Sequence, residues 1–262
     1  MNKKLVSAFF WGALIGILGG LMGLGGAEFR LPVLTFLFGF ATIHAVVINL
    51  VVSLVTVAAS LSLRLESIDW LIPYLPIILT LLTGSLTGAF IGAGIASRID
   101  EKKLDKIVAV LLGILAIIII GESSFAPQNI ECSPMVQMIV GVIAGLVIGL
   151  FSSMLGVAGG ELIIPTIMLL YGLDIKIAGT LSLAISLPTI LVGLSRYRKK
   201  EPFAILRPNF RFILWMAIGS IVGAALGKSM MGIISSEMLR IGLTGILSAS
   251  AIKLYRKSLK SV

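Results

Sequence analysis

The 262-residue chain is 58% hydrophobic and only 13% charged, with a mean hydropathy of +1.10, so its uncharged runs at 5–26, 31–63, 70–97, 107–121, 133–160 and 177–195 read as membrane helices rather than alternating barrel strands. One cysteine, Cys132, and one histidine, His44, exclude an internal disulfide, a multi-thiolate metal site and the histidine clusters of metalloenzymes. The net charge of +9 sits at the ends of the apolar runs, where it reads as a topology signal rather than a nucleic-acid surface.

The first run begins MNKKLVSAFF, which mimics a signal peptide. Its apolar part recurs later in the chain, so it reads as a retained first helix. It ends in GLGGAEFRLP, residues 23–32, which puts glycines, a glutamate, an arginine and a proline between two apolar segments. A helix that stops at Gly-Gly and restarts before a proline leaves backbone N–H groups without partners. Inside a bilayer such backbone survives only where protein buries it or water lines it. Pro32 is expected in the first turn of the new helix, where proline is tolerated. The short apolar piece at 31–40 would be about 15 Å long, half a bilayer. A long helix over 41–63 follows, carrying Asn49, Ser53 and Thr56. The next run contains Gly84, Gly88 and Gly92, spaced for close helix packing. A cluster of Arg98, Lys102, Lys103 and Lys106 precedes the run at 107–121. The stretch 122–132 has two glutamates and no Lys or Arg.

The second half repeats the first. At an offset of 133, GLGGAEFRLP meets GVAGGELIIP, residues 156–165. Gly23, Gly26, Glu28 and Pro32 fall on Gly156, Gly159, Glu161 and Pro165, and Ser53 and Thr56 fall on Ser186 and Thr189. At an offset of 135, GSLTGAFIG (84–92) meets GSIVGAALG (219–227). The chain therefore divides into a repeat at 1–121, an external linker loop at 122–134 and a second repeat at 135–262. If each short piece and its long helix enter and leave by one face, each half crosses an odd number of times. Sixteen of the 21 Lys and Arg then lie in the cytoplasm with both termini. The expected fold is an all-α polytopic membrane protein made of two inverted-topology repeats, each with a glycine-broken helix and a short half-helix hairpin.

The two breaks are the candidate site. The N-terminus of each restarted helix offers N–H groups and partial positive charge to an anion. Candidate substrate-binding residues are Gly25, Gly26, Ala27, Glu28 and Arg30 with Asn49 and Ser53 in the first copy. In the second they are Gly159, Gly160 and Glu161 with Thr180, Ser182 and Ser186. Glu28 and Glu161 have two readings: carboxylates on a proton path, or first-turn acids that cap N–H groups. Arg30 stands where the second copy has Ile163. It holds an anionic substrate or pairs with Glu28, and the pairing is the expectation preferred here. His44, Asp174 and Lys176 near the hairpin tips read as loop residues, and Trp70 as a membrane-interface anchor. No metal or cofactor is expected. The expected partners are a small anion and membrane lipids, not nucleic acid.

At GLGGAEFRLP, GVAGGELIIP, AGTLSLAISLPT (178–189) and the paired glycine series, the chain resembles the sulfite exporter TauE/SafE family of transporters over nearly its whole length. It departs from that family's frequent Gly-Gly-Gly, with Gly25-Gly26-Ala27 and Ala158-Gly159-Gly160. The resemblance implies a transporter, not an enzyme, that moves sulfite or organosulfur anions across the prokaryotic cytoplasmic membrane. Alternating access at the repeat interface, with proton coupling through Glu28 or Glu161, is the expected mechanism. A passive anion channel and a non-transport scaffold are the alternatives.

Overall fold

Apolar runs in lipid must satisfy every backbone group internally, so they fold as helices. A computed structural model of the chain describes residues 3–22, 26–64, 68–121, 133–198, 201–229, 245, 248–249, 251–256 and 259. Among them, helix α1 is Lys3–Met22, α2 Ala27–Pro32, α3 Thr42–Arg64, α4 Leu75–Ala96 and α5 Glu101–Gly121. In the second half α6 is Pro134–Leu155, α7 Gly160–Tyr171, α8 Ile175–Tyr197 and α9 Phe210–Ser229. Short 3-10 turns at Ile68–Tyr74 and Glu201–Leu206 lead into α4 and α9. Among the described residues, six stretches are long and apolar enough to span a membrane: Lys3–Gly20, Thr42–Arg64, Asp69–Ala96, Pro134–Leu155, Ile177–Tyr197 and Phe210–Gly227. The chain is an all-α, multi-pass membrane protein.

Glycine decides which helices touch. Along α1, Gly12, Gly16 and Gly20 lie directly on the carbonyls of Met216, Ser220 and Ala224 of α9. Along α4, Gly84, Gly88 and Gly92 lie on Val142, Leu146 and Leu150 of α6. At each of these positions a Cβ would overlap backbone, so only glycine permits the approach. Residue numbers rise together in both pairs, so each pair is parallel. The expected packing role of the glycine series is met, and it joins one half of the chain to the other.

Side-chain contacts fix the remaining directions. Ser85 bonds Thr189 at 2.8 Å, and Gly94 lies against Arg196, so α8 runs with α4. The Tyr197 hydroxyl donates to the Ser153 carbonyl at 3.2 Å, bringing the ends of α6 and α8 together. Phe40, just before α3, packs on Phe212 of α9, and Lys4 of α1 lies over both rings. The Arg64 guanidinium, closing α3, reaches Gly179 near the start of α8. Helices α1, α3 and α9 thus run in one sense, and α4, α6 and α8 in the other. Thr42 bonds Asp105, which brings the start of α5 to the end of the bundle where α3 begins. Lys253 lies over Phe36 at the same end.

Each break is a return of the chain. Gly26 sits beside the carbonyl of Ile15, which lies seven residues before the end of α1. Gly159 likewise lies against Ile148 and Ser152 of α6. Helix α7 then runs back along α6 until Leu170 accepts from Gln137 at 3.1 Å. The first restarted helix begins at Ala27, earlier than the apolar piece expected from 31, and the second, at Gly160, begins before its own apolar run at 162. Pro32 and Pro165 are consequently the sixth helical residues, in the second turn rather than the first. There each removes the N–H that would bond the carbonyl four residues back, that of Glu28 or Glu161. After Pro32 the helix widens into a π-turn, Val33–Leu37, closed by Phe38 N–H on the Val33 carbonyl at 3.2 Å. Such a bulge accommodates a proline within a helix.

Candidate functional site

The first break is built on left-handed Gly26, with φ of 67°, a conformation that glycine adopts without a Cβ clash. It turns Ala27, Glu28 and Arg30 inward, and all three are fully buried. Asn49 and Ser53 are one turn apart on α3, so they share a face. Arg30 Nη1 donates to Asn49 Oδ1 and to Ser53 Oγ, both at 3.0 Å. Arg30 Nη2 donates to Ser220 Oγ of α9 at 3.2 Å. Asn49 Nδ2 in turn donates to the Ala27 carbonyl at 2.8 Å, which fixes the amide's orientation and ties α3 to the break. These described hydrogen bonds of Arg30 go to neutral side chains rather than to Glu28. Both Glu28 carboxylate oxygens are buried without a hydrogen-bond partner. Gly25 lies outside the described residues.

The second break turns on Gly159, with φ of 80°, and Gly160 opens α7. Its backbone is laced to neighbouring helices by serines. Ser152 donates to the Val157 carbonyl and Ser186 to the Ala158 carbonyl, each at 2.6 Å. Glu161 is 5% exposed, and its Oε1 is buried without a hydrogen-bond partner. Ile163, 1% exposed, fills the place matching Arg30. Ser182 bonds the Gly179 carbonyl of its own helix at 3.0 Å, and Thr180 is buried two residues before it on α8. Of the expected residues on the long helices, Asn49 and Ser53 meet the first break and Ser186 meets the second, while Ser182 bonds within α8. The first break holds a buried guanidinium and a carboxylate. The second, apart from Glu161, is neutral.

The family described as sulfite exporter TauE/SafE matches residues 8–254. The chain belongs to the sulfite exporter TauE/SafE family. No curated protein and no solved structure matches it.

For this sulfite exporter family member, the residue that sequence reasoning missed is Ser220. It lies 190 positions from Arg30, inside a glycine series read only as packing. A signal was present: Ser85 and Ser220 occupy the same place in GSLTGAFIG and GSIVGAALG. Ser85 of the first half meets Thr189 of the second rather than an arginine. Equivalent serines therefore serve a charged cradle on one side and a neutral hydroxyl pair on the other.

Proposed function

We propose that this protein is a secondary transporter of small anions, sulfite or organosulfur anions, working by alternating access between two inverted-topology repeats. The observation that carries the reading is the buried Arg30 guanidinium, held by Asn49, Ser53 and Ser220 at a helix break in a sulfite exporter family member. A delocalised planar cation of this kind suits a small oxyanion, which it can meet with two parallel N–H bonds. The acceptors Asn49, Ser53 and Ser220 are neutral, so these three do not themselves cancel the guanidinium's charge. Ser220 comes from the second half and Arg30 from the first, so the site joins the two repeats. The opposed senses of α1 and α6, α3 and α8, and α4 and α9 support inverted topology. The basic clusters gather where α1, α5 and α9 begin, which supports a cell-membrane orientation with that end and both termini in the cytoplasm. Glu28 and Glu161 are the carboxylates through which protons would couple to the anion.

Ligand binding raises the unfolding temperature of the state it binds. In a thermal-shift screen of the purified protein, sulfite, thiosulfate or an organosulfonate is expected to raise the melting temperature, with Arg30→Gln losing the shift. No shift with any of these anions, or an undiminished shift in Arg30→Gln, would count against the site.

A further inference from the structure

The seam between α4 and α8 ends in a cation without a counter-ion, and we propose that Arg196 there binds the phosphate of an anionic phospholipid. The register of the seam comes from the Ser85–Thr189 bond at 2.8 Å. The two helices are parallel, so seven residues further on Arg196 is level with Gly92. That is about 6 Å short of the end of α4 at Ala96, at 1.5 Å per residue. An arginine next to the last residue of its helix can stretch its side chain to water. Arg196 instead lies across α4. Its guanidinium carbon stands 4.4 Å from the centroid of the Phe90 ring. Gly94 is one turn past Phe90 on the same face, and a Cβ there would come within 3.3 Å of Nε and 3.6 Å of Nη2. The glycine leaves a niche for the guanidinium, and the ring is its floor.

Nothing in the niche offsets the charge. Nε is buried without an acceptor, and among the described residues Arg196 makes no hydrogen bond or ion pair. Of the acids at the same end, Asp105 bonds Thr42 and Asp100 pairs with Lys103 at 3.5 Å. A half-buried cation beside hydrocarbon is costly until an anion meets it. Phe90 is 47% exposed, and Ile91 and Ile95 beside it on α4 are exposed as well. They belong to an apolar span, so acyl chains cover them. A lipid phosphate is the anion that a bilayer supplies at this depth, and basic niches between helices at the cytoplasmic end hold such headgroups. A guanidinium seated over a ring still has N–H groups at its edge for two parallel bonds to phosphate oxygens. Arg98, exposed just past the end of α4, adds positive charge at the same end. The site is separate from the Arg30 cradle and stands whether or not sulfite is moved.

Thermal unfolding of the full chain in micelles doped with dioleoyl phosphatidylglycerol or dioleoyl phosphatidylcholine tests this. The anionic lipid is expected to raise the melting temperature of wild type at a lower mole fraction than the zwitterionic one. Arg196→Gln should need at least about ten times more phosphatidylglycerol for the same shift, the loss of a charge-assisted pair. Arg196→Lys keeps the charge without the planar fork and should lose most of the preference. Arg207→Gln removes an exposed cation of the same end and should keep the wild-type value. Phe90→Leu keeps the charge and the apolar surface but removes the ring. It should weaken the preference, and it reads the niche even where Arg196→Gln fails to fold. An equal response of wild type to both lipids overturns the proposal. So does a wild-type response in Arg196→Gln, Arg196→Lys or Phe90→Leu, an equal loss in Arg207→Gln, or displacement of the lipid by sulfite.

Discussion

Arg30 is fully buried, and an amide and two hydroxyls hold its guanidinium. Hydrogen bonds to a charged group contribute about 1.5–3 kcal/mol each, and more is lost when a buried donor is left unsatisfied. Ser220→Ala removes the only one of these three acceptors that comes from the second half. It should lower stability by about 1–3 kcal/mol and shrink the anion-induced thermal shift. Ser85→Ala breaks a neutral hydroxyl pair and should cost about 0.5–1.5 kcal/mol without touching that shift. Thermal unfolding of the two variants, with and without sulfite, reads both effects. Much of this cradle was legible in the sequence. Asn49 and Ser53 share a helix face because they are four residues apart, and Arg30 was conspicuous in an apolar chain. Which partner Arg30 takes was not legible. Glu28 is nearer in sequence, but the helix carries Arg30 towards α3 and α9, and no local pattern encodes a contact across 190 residues.

The breaks themselves were readable as elements, because glycine at positive φ followed by an acid and a proline has few other uses in a membrane chain. The place of the proline was not. The helices start four and two residues earlier than the apolar pattern suggests, since Ala27, Glu28 and Gly160, Glu161 are buried inside the bundle and form the first turn despite their composition. The glycine series at spacing four was also legible, but its partners were not, because α4 packs on α6 and α1 on α9 across the two halves. The close approach gives a sharp test. A Cβ at Gly88 would overlap the Leu146 carbonyl, whereas one at Gly113 on α5 has nothing within 4 Å. Gly88→Leu should therefore destabilise by at least about 1–3 kcal/mol, the usual cost of overpacking. Gly113→Leu should leave the melting temperature near that of wild type.

At the scale of the molecule, composition and uncharged runs were enough to read an all-α membrane protein, since a bilayer allows few ways to bury a backbone. The inverted relation we propose rests on charge at the run ends together with the opposed helix senses. It places Arg30 of the first half and Ser220 of the second on one site, so motion of one half against the other would open or close the anion's path. The most direct test is uptake of labelled sulfite by proteoliposomes of wild type and of Arg30→Gln. The account predicts uptake that saturates with sulfite in wild type and falls to the level of protein-free vesicles in Arg30→Gln. Wild-type uptake no faster than protein-free vesicles, or the same rate and half-saturation in Arg30→Gln, would contradict it.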